Sequence, residues 1–380
     1  MKIVVNTRFL LADKLEGIGK FSHEILRHLV IQHPEHDFYF LFDRPYHQQF
    51  IYASNVTPIV IYPPTRHLVL YYLWFEIRLP RVLQQLQPDV FLSLDNMTTL
   101  RTNVPRVTVL HDLAYLHFPV EKKYLDLRYY QKFIPRIAEA SRRLLTVSEF
   151  TKSDLIKSLQ VEPDKIRVAP CAVSNFFKPT PYAQQIALRQ KYCAGEMYFV
   201  CVGAVQLRKN LVNVFRAFDN FKNLTRSEVK LVIAGRKAWK AGAILKAYNA
   251  MTHKADVVFT GRVSDAVIRE LYGSALALVF ASFFEGFGLP ILEAQKCNCP
   301  VITSNISSMP EVAAGSALLV DPYSPNEIGQ AMVQIYHYPE KRDYYTRLGH
   351  LNYQRYSWEK SAGLVYQSLE EAVQNLPLSS

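Results

Sequence analysis

Residues 275–299 read ALALVFASFFEGFGLPILEAQKCNC, and the fold turns on how this stretch changes character twice. Leu276–Ala281 is a short run without a polar residue, the pattern of a strand buried on both faces of a parallel sheet. The run breaks at Ser282, and Glu285, Gly286, Phe287 and Gly288 form a turn. Pro290 then stands where a helix should begin, because its missing N–H costs nothing in the first turn. Ile291, Leu292 and Ala294 carry that helix onward, and Glu285 and Glu293 lie eight positions apart. Strand, glycine loop and helix together describe a ligand site in which backbone N–H groups approach an anion at a helix N-terminus.

The loop resembles the signature of retaining glycosyltransferases of family 4, which pairs two glutamates around a Gly-Phe-Gly-Leu-Pro turn. The resemblance implies that Glu285 contacts hydroxyls of a donor sugar and that Glu293 contacts the ribose of its nucleotide. Gly286, Phe287, Gly288 and Leu289 would line the same donor. The plainer reading, a helix entry with two solvated acids, weakens as further matches accumulate along the chain.

A chain of 380 residues with 49% hydrophobic content suggests two domains with ample core material. No run of 18 apolar residues occurs, so no spanning helix is expected. The opening MKIVVNTRFL runs into a strand pattern without signal-peptide flanks, and the five cysteines are scattered and odd in number. Both features point to reduced thiols and a cytoplasmic protein. Cys297-x-Cys299 has no companion His/Cys cluster, so no metal site is read there. The formal net charge of +11 suits phosphorylated sugar nucleotides, an anionic membrane surface or nucleic acid. The last of these lacks any recognisable binding module.

In the first half, Ile3–Val5 begins a series of strand-like runs: Phe38–Phe42, Ile59–Ile61, Val90–Leu92, Val107–Leu110, Leu144–Val147 and Ile166–Val168. Helical stretches separate many of them, the pattern of βαβ units. Gly17-Ile18-Gly19 precedes a helical pattern through Phe21, Ile25 and Leu29. Two glycines there either cradle a phosphate or permit a tight turn; GIGKFSHEIL resembles the first loop of family 4 enzymes, at the base of the donor cleft. Residues 66–87 set Leu68–Phe75 beside Arg66, Arg78 and Arg81. That segment reads as a buried helix interrupted before Pro80, or as an amphipathic face touching lipid headgroups. His111 lies just past the carboxyl end of a buried strand, where open α/β sheets place ligands. Around it, WFEIRLP, PDVFLSLDN and VTVLHDLAYLHFP resemble family 4 enzymes of bacterial surface polysaccharides. By that resemblance His111 reaches a hydroxyl of the transferred sugar. Residues 171–185, rich in proline, read as the linker.

The second half repeats the series at Tyr198–Val202, Lys230–Ala234, Val257–Thr260, Leu276–Ala281, Val301–Thr303 and Ala317–Val320. After the first of these comes GAVQLRKN, Gly203–Asn210. Arg208 and Lys209 stand together at an exposed helix start, where the dipole disfavours positive charge, and so ask for an anion. A diphosphate fits, since its charge rises as the sugar leaves. The same pair occupies the diphosphate site in the family. By resemblance alone, backbone groups near Val263 read the nucleotide base. Tyr356-Ser357-Trp358-Glu359 looks like the family's crossover of the C-terminal helix onto the first domain.

The fold class expected is therefore α/β and, by the resemblance, GT-B: two Rossmann-like parallel-sheet domains facing across a cleft. Residues 1–175 form the acceptor domain, with helix 355–380 crossing back, and 180–354 the donor domain. The activity expected is retaining transfer of a hexose from a nucleoside diphosphate sugar to a glycan or lipid-linked glycan acceptor, in surface polysaccharide synthesis. Similarity of HDLAYLHFP and LPRVLQQLQPDV to enzymes using GDP-mannose suggests mannose. With no Asp-x-Asp triplet in a strand-end loop, no metal or cofactor is expected. Peripheral contact with an anionic membrane is expected and nucleic acid is not. A glycosidase is disfavoured: eight helical residues rise ~12 Å, beyond the ~5–5.5 or ~6.5–9.5 Å carboxylate spacing of such enzymes. A sugar-nucleotide epimerase or phosphorylase of the same architecture, and a non-catalytic basic membrane-surface protein, are the alternatives.

Overall fold

A computed structural model describes residues 1–12, 15–236 and 242–374. The chain divides into two compact units, Met1–Cys171 with the segment from Ser357 onward, and Ala172–Tyr356. Residues 375–380 of the expected C-terminal helix lie outside the described residues.

The first unit holds β1 (Lys2–Asn6), β2 (Asp37–Phe42), β3 (Val56–Val60), β4 (Val90–Ser93), β5 (Arg106–Val109), β6 (Arg143–Thr146) and β7 (Ile166–Val168). They form one sheet in the order β3-β2-β1-β4-β5-β6-β7, every pair parallel. The second unit holds β8 (Tyr198–Val202), β9 (Lys230–Ala234), β10 (Val257–Gly261), β11 (Ala277–Phe280), β12 (Val301–Ser304) and β13 (Leu318–Val320), in the order β10-β9-β8-β11-β12-β13 and again parallel. Helices on the faces bury both sides of central strands, so β4, β6, β11 and β12 are buried at every residue.

Each sheet reverses its direction of growth once. The first winds outward from β1 through β2 to β3, then returns to lay β4 on the other side of β1. The second does the same between β8 and β11. Such a reversal opens a crevice at the carboxyl ends of the two diverging strands, where doubly wound sheets bind ligands.

Three local readings change on folding. β3 starts at Val56 and includes Pro58, which the sheet tolerates because β3 is an edge strand with one face of its ladder unpaired. The 66–87 segment is not interrupted at Pro80. Helical residues run from Leu68 to Leu86, with one wide turn at Trp74–Arg78. Proline lacks an N–H and crowds the carbonyl four residues back, and the wide turn absorbs both faults. Its apolar run is also split: Trp74 and Phe75 are buried, Trp74 donating to the Ile61 carbonyl at 2.9 Å, whereas Val69 and Tyr72 are exposed. Finally, helix Tyr182–Cys193 begins inside the stretch read as a linker and buries Leu188 and Cys193 in the second unit.

Helix Trp358–Val373 belongs to the first unit, where it packs on helix Gly17–Gln32. Ser357 caps it, accepting from the Lys360 amide, and Phe21 meets Trp358 edge-on at 5.9 Å. Glu371 ties it down by accepting from Arg167 at 2.7 Å and forming an ion pair with Arg143 at 2.9 Å.

Candidate active site at the reversal of the second sheet

The site is built from the loops that follow β8 and β11, the two strands that diverge. After β8, Gly203 takes φ +135°, a backbone state that side chains disfavour. A Cβ there would also press on the Lys209 side chain at 3.3 Å. Its amide donates to the Ala234 carbonyl at 2.9 Å, and the Gly235 amide donates to the Gly261 carbonyl at 2.9 Å. Gly235 approaches the Gly203 carbonyl so closely that a Cβ would stand 1.8 Å from its oxygen. Strand ends β8, β9 and β10 are thereby laced together. A single helical turn, Leu207–Lys209, then presents the two cations.

Asn210 follows at φ 60°, and its amide group donates to the carbonyls of Ala281 and Pro322 at 2.9 and 2.7 Å. That one side chain pins the cation-bearing turn to the ends of β11 and β13. The Phe283 amide adds a bond to the Arg208 carbonyl at 2.8 Å. On the other side, Ser307 accepts from the Glu285 amide at 3.0 Å, and the Ser307 and Ser308 hydroxyls both donate to the Glu285 carbonyl at 2.9 Å. The single Ser308 proton is shared with the Phe287 carbonyl, 2.7 Å away, so two serines beyond β12 grip the Glu285–Phe287 turn. Gly288 closes the turn at φ 107°, and Pro290 falls at the second position of helix Leu289–Lys296.

This scaffold brings three expected residues into contact. Arg208 Nη1 donates to Glu285 at 2.9 Å, and Lys209 Nζ forms an ion pair with its other oxygen at 2.5 Å. Burial alone would raise the Glu285 pKa, but Arg208, then Lys209, outweigh it and hold the carboxyl at about 2. The anion that the adjacent cations ask for is thus supplied from within, by Glu285. Lys209 also lies over the Phe280 ring, 4.7 Å from its centroid. Beside it opens a small pocket lined by Gly203, Ala204, Lys209, Phe280 and Ser282, among others. Two cations and one ionised acid leave this group with a net positive charge, and Lys209 carries it to the pocket wall.

The remaining expected residues lie around or apart from this group. Glu293 is buried in helix Leu289–Lys296 and accepts from the Tyr272 hydroxyl at 3.3 Å. Val263 follows β10, two strands away from β8. Gly17 and Gly19 belong to the first unit, inside the first turn of helix Gly17–Gln32 rather than before it. A Cβ at Gly17 would meet nothing within 4 Å, whereas one at Gly19 would stand 2.8 Å from the Phe9 carbonyl. Packing therefore explains Gly19 and leaves Gly17 unexplained.

His111, also of the first unit, follows β5 and is buried. Its Nε2 is 2.8 Å from the Leu94 carbonyl. A carbonyl only accepts, so the proton sits on Nε2 and Nδ1 keeps its lone pair. Burial lowers its pKa against the opposing pull of the Leu94 hydrogen bond and of Asp112 and Asp95. Asn96 fixes its backbone by accepting from the His111 amide at 2.6 Å, and Phe21 meets its ring edge-on at 5.0 Å.

Asn210, Ser307 and Ser308 escaped the sequence reading. Asn210 closes the GAVQLRKN run, where an asparagine at a helix entry signals a tight turn. Ser308 stands directly before helix Met309–Ala313 and two residues before Pro310, a recognisable helix start.

Two family models match the chain: Glycosyltransferase Family 4 over residues 15–175 and Glycosyl transferases group 1 over residues 187–350. O-antigen chain mannosyltransferase B of Escherichia coli is 30% identical over 254 residues, 67% of this chain and 67% of that relative. O-antigen chain mannosyltransferase RfbU of Salmonella typhimurium is 28% identical over 231 residues, and the match spans only 61% of either protein. The solved structure of Anabaena HepE in complex with UDP-glucose superposes with a TM-score of 0.73 at 15% identity. That match covers 99% of this chain and 100% of HepE, and it shows a shared two-domain fold.

Proposed function

This chain belongs to glycosyltransferase family 4, and from that premise we propose that it transfers a hexose from a nucleoside diphosphate sugar with retention at the anomeric carbon. Mannose is the sugar favoured by the names of its relatives, O-antigen mannosyltransferases, and GDP is the carrier that the resemblance of HDLAYLHFP and LPRVLQQLQPDV suggests. A glycan or lipid-linked glycan of a surface polysaccharide is the corresponding acceptor. The observation that carries the reading is the meeting of Arg208, Lys209 and Glu285 at the reversal of the second sheet.

In this reading the donor diphosphate lies against Arg208 and Lys209, sharing them with Glu285. As the bond from the anomeric carbon to the diphosphate oxygen lengthens, negative charge grows on that oxygen. Fixed cations stabilise the growing charge more than they stabilise the bound donor, which is what accelerates the step. The acceptor hydroxyl gives its proton to the departing oxygen and bonds to the anomeric carbon on the same face, so configuration is kept. Glu285, ionised at neutral pH, orients the sugar and supports the positive charge that develops on it. In the first unit, His111 presents an Nδ1 lone pair that can accept from a hydroxyl. The two side-chain cations supply the charge that a divalent metal would otherwise provide, and turnover is expected to survive chelation.

A thermal-shift series over GDP-, UDP-, ADP- and dTDP-sugars identifies the nucleotide, since a ligand at a hundred times its Kd stabilises the fold by ~2.7 kcal/mol. Anomeric analysis of the product then reports retention or inversion. Inversion overturns the same-face mechanism, and conversion of donor without acceptor points to an epimerase instead.

A further inference from the structure

The turn between helix Gly17–Gln32 and β2 reads His33-Pro34-Glu35-His36 and takes no part in that chemistry. Proline at the second of four places favours a β-turn, and the His36 amide closes it on the His33 carbonyl at 3.2 Å. The Asn55 side-chain amide lies 3.2, 3.2 and 3.1 Å from the carbonyls of Val30, His33 and His36, which fixes the turn. Three side chains are thereby held together. Glu35 Oε1 lies 3.2 Å from His33 Nδ1 and 3.5 Å from His36 Nε2. One donor atom from each residue lies within 4.8 Å of the other two. Tyr366, from helix Trp358–Val373, stacks on the His33 ring at 3.5 Å and places its hydroxyl 2.9 Å from His36 Nε2.

As a surface ion pair this arrangement would contribute little, because the Glu35 side chain is 56% exposed. Its spacing suits another use. Metal–ligand bonds of ~2.0–2.1 Å in a tetrahedron set neighbouring donor atoms ~3.3–3.4 Å apart, between the two distances found here. Two histidines and a glutamate are also a donor set that zinc takes, with water in the fourth position. We propose that His33 Nδ1, Glu35 Oε1 and His36 Nε2 bind a Zn²⁺ ion that fastens the C-terminal helix to the start of β2. For Nε2 to ligate, the His36 proton moves to Nδ1. There the Met1 amine, 3.0 Å away, accepts it after shedding a proton of its own, the outer bond that a ligating histidine usually makes. The Tyr366 hydroxyl turns from Nε2 to the bound water, and its ring holds the His33 imidazole in place. The ion is structural, and no step of the transfer reaction passes through it.

Calorimetric titration of the untagged whole protein with ZnCl₂ tests this, at pH ~8, above the ordinary histidine range. One equivalent should bind, and zinc should raise the melting temperature by several degrees. Glu35→Gln removes the shared carboxylate, and His33→Phe keeps a ring against Tyr366 while removing a donor. Each should weaken zinc binding about tenfold or more and abolish the thermal shift. In EDTA both variants should melt with the parent, so that lost binding is not lost folding. Cobalt(II) in place of zinc should give the visible absorption of a tetrahedral complex in the parent and not in the variants. A parent that takes up no zinc at ~0.1 mM, or variants that bind it as tightly as the parent, overturns the proposal. So does zinc binding that leaves the parent's melting temperature where it was. Lys209→Ala protein that has lost turnover should bind zinc normally, which keeps this test separate from the transferase reading.

Discussion

Both sheets place a cation after the first of their diverging strands and an acid after the second, yet the two pairs have different fates. In the first unit Arg8 follows β1 and Asp95 follows β4, and they form a buried ion pair. Thr65 and the rings of Phe9, Tyr71 and Phe75 close over Arg8, with Tyr71 4.3 Å away. The side chains of Arg8 and Asp95 are left 5% and 2% exposed. In the second unit Arg208 and Glu285 retain 19% and 10%, and Lys209 borders a pocket. Burial opposes the charge on Arg8, but Asp95 more than restores it and raises its pKa. Position in the sheet thus provides a charged pair, and its cover decides whether that pair is structural or open to a ligand.

The sharpest way to break this contrast is Asp95→Ala. Stranding the Arg8 charge should cost about 3–5 kcal/mol, read by denaturant unfolding, and Arg8→Met combined with Asp95→Leu should recover most of it. A loss under ~1 kcal/mol would mean that the first pair is not sealed. Lys209→Ala should do the reverse, sparing the fold while lowering turnover ~10²–10³-fold in initial-rate assays. Wild-type-like turnover would remove the diphosphate role.

Acid titration separates the pairs further. Glu285 has a folded pKa of about 2 against an ordinary 4.5, so its contribution is present above pH 4.5 and disappears as pH falls through 2. At ~1.4 kcal/mol per pKa unit this amounts to about 3 kcal/mol. The stability gap between the parent and Glu285→Gln should therefore narrow from pH 4.5 downward. The smallest effect is expected from Ser308→Ala, which removes the one hydroxyl proton shared by the Glu285 and Phe287 carbonyls. It should weaken nucleotide-sugar affinity by about 1 kcal/mol, measured by calorimetry.

The strands were legible because parallel sheets write themselves as uninterrupted apolar runs, and each expected run coincides with one of β1 to β13 within a few residues. Arg208, Lys209 and Glu285 were legible because their local surroundings are unusual: cations at a helix start, an acid in a glycine turn. Their contact was not, since Glu285 lies 77 positions from Arg208. For the same reason nothing near Arg8 announced Asp95, 87 positions away, or the aromatic cover between them. Position 80 misled in the opposite way. A proline is a local signal to stop a helix, and only packing on both sides lets one wide turn carry the helix past it.

The helix that buries Trp358, Val365 and Leu369 in the first unit is made nearly two hundred residues after that unit's last strand. On the ribosome, the part synthesised first is therefore the part completed last. The second unit, contiguous in sequence, can close while the first still shows bare apolar surface along Phe21, Ile25 and Leu29. That interval is when a nascent chain is most open to chaperones and to aggregation.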